Sequence, residues 1–432
     1  MRRPARFLAL SLAVGPALIA QSPQPSTAVP SAAPQSIRRL DGSHISIREA
    51  SATARRILDE NHVTGAQIAI LNDGRPVWAE AFGYRELEHV LPMTPTTTTW
   101  AASITKGLFA TFVMKLSQEK QLDLNMPVTE LLDKPLSSYP EYKDSASEIV
   151  HDPRFAHVTP RTLLSHTSGL ANFAAYEPDK KLHLHFDPGT RFAYSGEGLN
   201  LLQFIIEQRE HQPLDKLMQD SLFNPLHMVR TSMVWNPAFT GYVADRYDEN
   251  GKFISHTMRD HARAAGSMTT SSQDLSLFLM FLLYEPPHKG HFSSKTRPPS
   301  LPDPIWPLLW PGTLRTMLSP VIRIDAKQQF PTLDQTKSTE GPAVGLAYGL
   351  GWGLLTRTKF GPAFFKEGHG DGAQNYMICF TKHRDCMIIL TNSDNGELAF
   401  RPLLEGLLGD TVTPWTWEGY TREGILASRE KH

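Results

Sequence analysis

The sequence predicts an α+β fold, an α/β lobe plus an all-helical lobe, with one antiparallel sheet built from both chain ends and flanked by helices. Three observations point there. Strand patterns come early, where Gly65–Leu71 and Pro76–Gly83 flank Asn72-Asp73-Gly74, a hairpin signature. They return late, through Tyr348–Leu355, Tyr376–Ile378 and Met387–Leu390. Between Leu122 and about Leu283 the signals are mostly helical, broken by Pro and Gly loops.

In chain order, Arg2, Arg3 and Arg6 precede an apolar run from Phe7 to Ala20, the pattern of a cleaved export signal over residues 1–20. It is shorter than a span of ~20 apolar residues flanked for retention, so no integral membrane segment is expected after its removal, and the expected location is periplasmic or secreted. Residues 21–44, rich in Pro, Ser and Ala, read as a linker. A single domain is expected over 45–410, followed by a polar tail, 411–432. Within it, Ile47, Ala50, Ala54, Ile57 and Leu58 take helical spacing, as do residues 197–209, 272–283 and 397–408. Eight prolines between Glu285 and Gly312 mark an irregular insertion, read as a surface loop or lid. Cys379 and Cys386 flank a hairpin turn placed at Lys382-His383; a disulfide and two buried thiols are both open readings.

A formal net charge of −1 with no long basic run excludes the electrostatic footprint of a nucleic-acid binder. No Gly-x-Ser-x-Gly elbow or glycine-rich nucleotide loop occurs. His183/His185 and His256/His261 lack a third ligand at metal spacing, so neither a metal nor a cofactor is expected. Oligomeric state is not legible.

Three Ser-x-x-Lys pairs occur: Ser103/Lys106, Ser117/Lys120 and Ser428/Lys431. Residues three apart share a helix face, so an amine can meet a hydroxyl. The second pair reads as a solvated face and the third lies in a charged tail. Ser103 instead opens an apolar helix (Leu108, Phe109, Phe112, Val113, Leu116), where backbone N–H groups favour an oxyanion. Against this stands the reading of Ser103 as a helix cap.

Further segments follow in order: Leu163-Leu164-Ser165-His166-Thr167-Ser168-Gly169-Leu170, Pro188-Gly189-Thr190-Arg191-Phe192-Ala193-Tyr194-Ser195, Ala264-Ala265-Gly266-Ser267-Met268, Gly351-Trp352-Gly353 and Leu390-Thr391-Asn392-Ser393. With Ser103-x-x-Lys106, this ordered set resembles the serine β-lactamase and penicillin-binding-protein superfamily, in its class C and esterase-like branch. The resemblance implies a β-lactamase/transpeptidase-like fold and an acyl-enzyme at Ser103, with Lys106 and Tyr194 sharing the general-base work. An ammonium beside the phenol is expected to lower the tyrosine pKa, and burial among cations to lower that of the lysine.

The run Lys366-Glu367-Gly368-His369-Gly370-Asp371-Gly372 departs from the Lys-Thr-Gly of lactamases. His369 is expected to line the site, either in the lysine position or one place beyond it. The oxyanion hole then combines the backbone N–H of Ser103 with that of Gly372 or Asp371. Gly196 also stands where lactamases usually have asparagine.

The implied function is an exported serine hydrolase cutting a small ester, amide or peptide bond, as an esterase or D-amino-acid peptidase. The alternatives are a class C-like β-lactamase or DD-carboxypeptidase, and a non-catalytic peptide- or cell-wall-binding protein on the same scaffold.

Overall fold

The computed structural model describes residues 35–257, 259–284, 308–334 and 336–429. The expected export signal, most of the linker and residues 285–307 of the proline-rich insertion lie outside them, and the insertion's last residues run into a short helix, Pro311–Met317. Among the described residues no helix is long and apolar enough to cross a membrane.

The principal elements are α1 (Ile47–Glu60), β1 (Gly65–Asn72), β2 (Arg75–Glu86), β3 (Leu91–Pro92), α2 (Ile104–Gln118), α3 (Gly196–Glu210) and α4 (Ser272–Leu282). They continue with β4 (Ile322–Arg323), β5 (Leu346–Tyr348), β6 (Gly353–Leu355), β7 (Ala363–Gly370), β8 (Ala373–Phe380), β9 (Asp385–Thr391) and α5 (Gly396–Leu403). One antiparallel sheet runs in the order β4-β5-β6-β7-β8-β9-β1-β2-β3. The two chain ends meet where β9 pairs with β1, from Cys386 opposite Leu71 to Thr391 opposite Ala66.

Both faces of the sheet are covered, and strand alternation divides the core accordingly. Ile68, Ile70, Tyr376, Ile378, Met387 and Ile389 pack with α1 and α5. Ala69, Leu71, Met377, Cys379, Ile388 and Leu390 turn the other way, toward α2, α4 and the helical lobe. Helix α2 is buried on nearly every side from Ile104 to Leu116, which explains its all-round apolar sequence. Serines open the other long helices: Ser46, Ser195 and Ser271 each accept a hydrogen bond from a backbone N–H in the first turn.

Three sequence expectations change. Residues 36–38 and 44–46, assigned mostly to the linker, form a two-stranded ribbon with Ile37 and Ile45 buried. The polar tail is folded as far as residue 429: Trp415, Trp417 and Tyr420 are buried against Phe192, Phe365 and Tyr376. The β8–β9 turn spans residues 381–384, not two residues, because Phe380 is opposite Asp385. Adding two residues keeps the parity, so Cys379 still faces Cys386, and the two are joined as a disulfide.

Candidate active site

Ser103 sits at the N-terminal boundary of α2 but makes no side-chain capping bond. Its Oγ lies 2.9 Å from Lys106 Nζ instead. Ala102, just before it, has φ +45°, a strained setting for a residue with a Cβ. Lys106 is buried, and its Nζ also donates to the Ala265 carbonyl at 2.5 Å. The Ala264–Met268 segment is clamped around this amine. Ala101 N–H donates to Met268 O, Trp100 Nε1 to Gly266 O, and α3 supplies Asn200 and Gln203 as acceptors for Ala265 and Ala264 N–H.

Burial, reinforced by the nearby charge of Lys366, holds the Lys106 pKa well below its ordinary value. An amine so placed is neutral at a pH where ordinary lysines are charged.

Tyr194 reaches the same spot from the loop before α3. Lys106 Nζ and Lys366 Nζ lie 5.0 and 4.9 Å from its ring centroid. Its buried hydroxyl has no partner of good geometry, although Ser103 and Lys366 both sit close enough to act on it. The His-Thr-Ser segment fixes this loop. Ala193 N–H donates to the His166 carbonyl at 2.8 Å and Ser195 N–H to His166 Nδ1 at 3.1 Å, so both neighbours of Tyr194 hang from one residue. The His166 ring also lies against Tyr194, centroids 4.3 Å apart. Burial, then the neighbouring Lys106 and Lys366 side chains, keep this imidazole neutral, its pKa well below the ordinary value.

The expected direction of the Tyr194 shift is reversed. Burial raises its pKa by more than the charge of Lys366 lowers it, with Glu367 adding to the rise. The reason is local: Lys366 is ion-paired with Glu367 at 2.7 Å, and both are buried. Tyr194 therefore faces a nearly neutral pair, not a lone cation, and stays a phenol at neutral pH.

Sequence reasoning passed over Lys366. It, and not His369, is the cation beside Tyr194, and Lys366-Glu367-Gly368 keeps the Lys-x-Gly spacing of the family pattern. Gly368 explains the spacing: a Cβ there would lie 2.3 Å from the Ala101 carbonyl oxygen, so only glycine lets β7 approach the start of α2. Gly368→Ala is expected to cost about 1–3 kcal/mol of stability through this overpacking, together with loss of turnover. Chemical denaturation checks it, with Gly312→Ala, a site whose added Cβ meets among the described residues only the tip of Arg315, as the neutral control.

The β7 backbone has a readable polarity. Gly349 N–H donates to Trp352 O and Thr356 N–H to Gly345 O, so Leu354 is the β6 residue turned toward β5. Gly353 and Leu355 then turn toward β7, and Gly353 is opposite Phe365. By alternation, Phe365, Glu367 and His369 direct their N–H and C=O groups to that same edge. Beyond Phe365 no strand of the described residues covers it. The His369 amide is thus on the open edge beside α2, while its side chain is 63% exposed and pairs with Glu397. Asp371 and Gly372 form the β7–β8 turn, and the Gly372 N–H is committed to Asp394 Oδ1 at 2.5 Å. The structure does not bring these two to Ser103.

Gly196 leaves no room for an asparagine: a Cβ would lie 2.5 Å from the Phe173 ring. Gln329 and Phe330 close the Tyr194 side. Gln329 Nε2 donates to Glu367 at 3.0 Å, and the Phe330 ring packs 5.4 Å from that of Tyr194. Contrary to the expected lack of further ligands, His183 lies with Asp179 and Glu148 at metal-like spacing, but the two acids are exposed and Lys181 Nζ is already 2.5 Å from Glu148. His185 pairs with Glu177, and His256 with Asp245.

A family model described as Beta-lactamase matches residues 50–408. Protein flp of Staphylococcus aureus (strain MRSA252) is 27% identical over 250 residues, which cover 54% of this chain and 48% of that protein. The chain thus spans about half the length of this curated relative. Among solved structures, the octameric penicillin-binding protein homologue from Pyrococcus abyssi aligns with TM-score 0.64 and 21% identity, over 89% of this chain and 81% of that one. D-alanine carboxypeptidase AmpC from Burkholderia cenocepacia aligns with TM-score 0.61 and 18% identity, over 83% and 99%. At these identities the solved structures establish the fold.

Proposed function

The chain belongs to the Beta-lactamase family, and from that premise we propose that it is a serine hydrolase that cleaves an ester or amide through an acyl-enzyme at Ser103. One observation carries the reading: a buried amine of depressed pKa, Lys106 Nζ, 2.9 Å from the hydroxyl of Ser103. As a neutral base Lys106 takes the Ser103 proton while Oγ bonds to the substrate carbonyl carbon. The resulting oxyanion receives the N–H groups of Ser103 and of His369 on the open edge of β7. Tyr194, held as a phenol, gives its proton to the leaving oxygen or nitrogen as the carbonyl–leaving-group bond breaks, and the Lys106 ammonium restores it. Water, deprotonated by the amine, then attacks the ester carbon, and Ser103 Oγ leaves as it takes that proton back from the Lys106 ammonium, releasing the acid product.

Export is part of this proposal, resting on the basic and apolar stretch of residues 1–20 and on the Cys379–Cys386 disulfide, which suits an oxidising compartment. An esterase or D-amino-acid peptidase fits better than a β-lactamase, because Phe173 fills the space where an asparagine would stand beside Tyr194.

A fluorophosphonate probe is expected to label the protein at Ser103, with Ser103→Ala abolishing both labelling and release from p-nitrophenyl esters. Labelling that persists in the variant moves the nucleophile elsewhere. Ligand binding without any acyl adduct by intact mass favours the non-catalytic binding protein.

A further inference from the structure

Beyond Gly370 the rim of the site carries positive charge that the chemistry above does not use. The Trp100 indole has the Arg246 guanidinium 4.9 Å and the Arg259 guanidinium 4.3 Å from its centroid. Arg246 is seated: it donates to the Asp371 carbonyl at 2.7 Å and bonds Ser255 Oγ, while its Nε is a buried donor without a partner. The Asp371-Gly372 turn is shaped to this arginine, since a Cβ on Gly372 would lie 2.7 Å from Arg246 Cβ. Arg259 is exposed, and Arg263 stands close enough to repel it. The charge of Asp371 acts on both Arg246 and Arg259 and that of Asp394 on Arg246, but among the described residues neither arginine has an acid within ion-pair distance.

Their place along β7 decides what they face. Lys366 and Tyr194 mark one end, Gly368 lies against Ala101 and Ile104 beside the nucleophile, and Gly370 abuts the Trp100 ring. From residue 366 to 370 a strand covers about 13 Å. On the proposed mechanism the leaving group departs at the Tyr194 end, because its proton comes from that phenol. The acyl chain therefore runs the other way along the open edge, toward Trp100 and the arginines. At the Tyr194 end Lys366 is already neutralised by Glu367, and Lys106 is held as a neutral amine.

We infer that the acyl group of the substrate carries a carboxylate a few bonds beyond the scissile carbonyl, and that Arg259, with Arg246 behind it, binds this carboxylate across the Trp100 indole. A planar guanidinium suits a carboxylate by charge and by paired donors. The inference rests on the serine-hydrolase reading of the same site.

The test compares mono-p-nitrophenyl glutarate with p-nitrophenyl valerate, acyl chains of equal length with and without the carboxylate. Wild type is expected to favour glutarate in kcat/KM by about 10-fold, the worth of one charge-assisted contact at a wet rim, and to lose much of that preference at 0.5 M salt, where the Debye length is only about 4 Å. Arg259→Ala is expected to bring the glutarate-to-valerate ratio near one, with Arg259→Lys between. A wild-type ratio near one, or a ratio that Arg259→Ala leaves unchanged, overturns the inference while Ser103 labelling keeps the hydrolase reading. Absence of labelling and of turnover on both esters overturns both.

Discussion

Lys106→Arg is expected to lower kcat/KM by about 10³-fold on any ester the wild type accepts, since general-base help contributes roughly 10²–10⁴-fold. The substitution keeps the approximate length and the hydrogen-bond donors but removes the capacity to be neutral. A guanidinium does not deprotonate in a protein, whatever its burial. The lysine amine, pressed down by burial and by Lys366, does. Lys106→Met keeps the volume and removes the base as well, and is expected to match the arginine variant within an order of magnitude. Fluorophosphonate labelling rates and p-nitrophenyl ester kinetics read the effect, and unchanged far-UV dichroism separates it from unfolding. A Lys106→Arg enzyme with near-wild-type turnover would leave the base to be found elsewhere.

The same neutral amine fixes a pH limb. Activity rises with pH through the Lys106 pKa, which lies well below 10.5, as the ammonium that cannot accept a proton gives way to the amine that can. For stability the sign is opposite to that of a salt-bridged lysine. A lysine whose folded pKa is depressed costs nothing above its unfolded value, and the cost of burying its charge grows as pH falls between the unfolded and folded values.

Much of this site is visible in the sequence, and the parts that are not have physical reasons. Ser103 and Lys106 are three residues apart on one helix, so spacing alone brings them together, and the apolar surroundings select them from the three pairs. Tyr194 is 91 residues beyond Ser103, and only its motif betrays it. Its pKa rises through burial, and Glu367 offsets the cation that spacing would place beside the phenol; both are properties of the folded packing and not of the motif. The glycine-rich run offers two plausible cations, and a histidine among glycines draws attention from a lysine inside an apolar strand. Strand parity would have decided it: Lys366 and Gly368 share a face with Phe364, which packs with α2, and only a residue on that face reaches the nucleophile. The folded segment after residue 410 escaped notice because its helices are short and its burial comes from two tryptophans, not from a periodic pattern.

Glu367→Gln is expected to destabilise the fold by about 3–5 kcal/mol, the usual effect of removing one partner from a buried ion pair. Lys366 is fully buried, and in the variant its ammonium faces an amide oxygen in place of the carboxylate, with the residue-367 backbone carbonyl at 3.3 Å and the Tyr194 hydroxyl nearby, none of which neutralises its charge. The pair leaves its own pH signature. Burial alone would raise the Glu367 pKa, but attraction and hydrogen bonds from Lys366 and Gln329 hold it below its ordinary 4.5. Its contribution is therefore complete above 4.5 and is lost as pH falls through the lower folded value. For Lys366, burial alone would lower the pKa, and Glu367 with Tyr194 outweighs it, so that contribution is complete below 10.5 and is lost as pH rises through the higher folded value. Denaturation of wild type should show a stability plateau bounded by these two limbs, and Glu367→Gln should lower the plateau and remove the acid limb. The double variant Lys366→Met with Glu367→Gln, which buries no charge, should recover most of the lost stability while remaining catalytically impaired, because the proton donor Tyr194 then lacks the neighbour that steadies its phenolate. A double variant as unstable as the single one would mean that packing around these side chains, and not their charge, sets the loss.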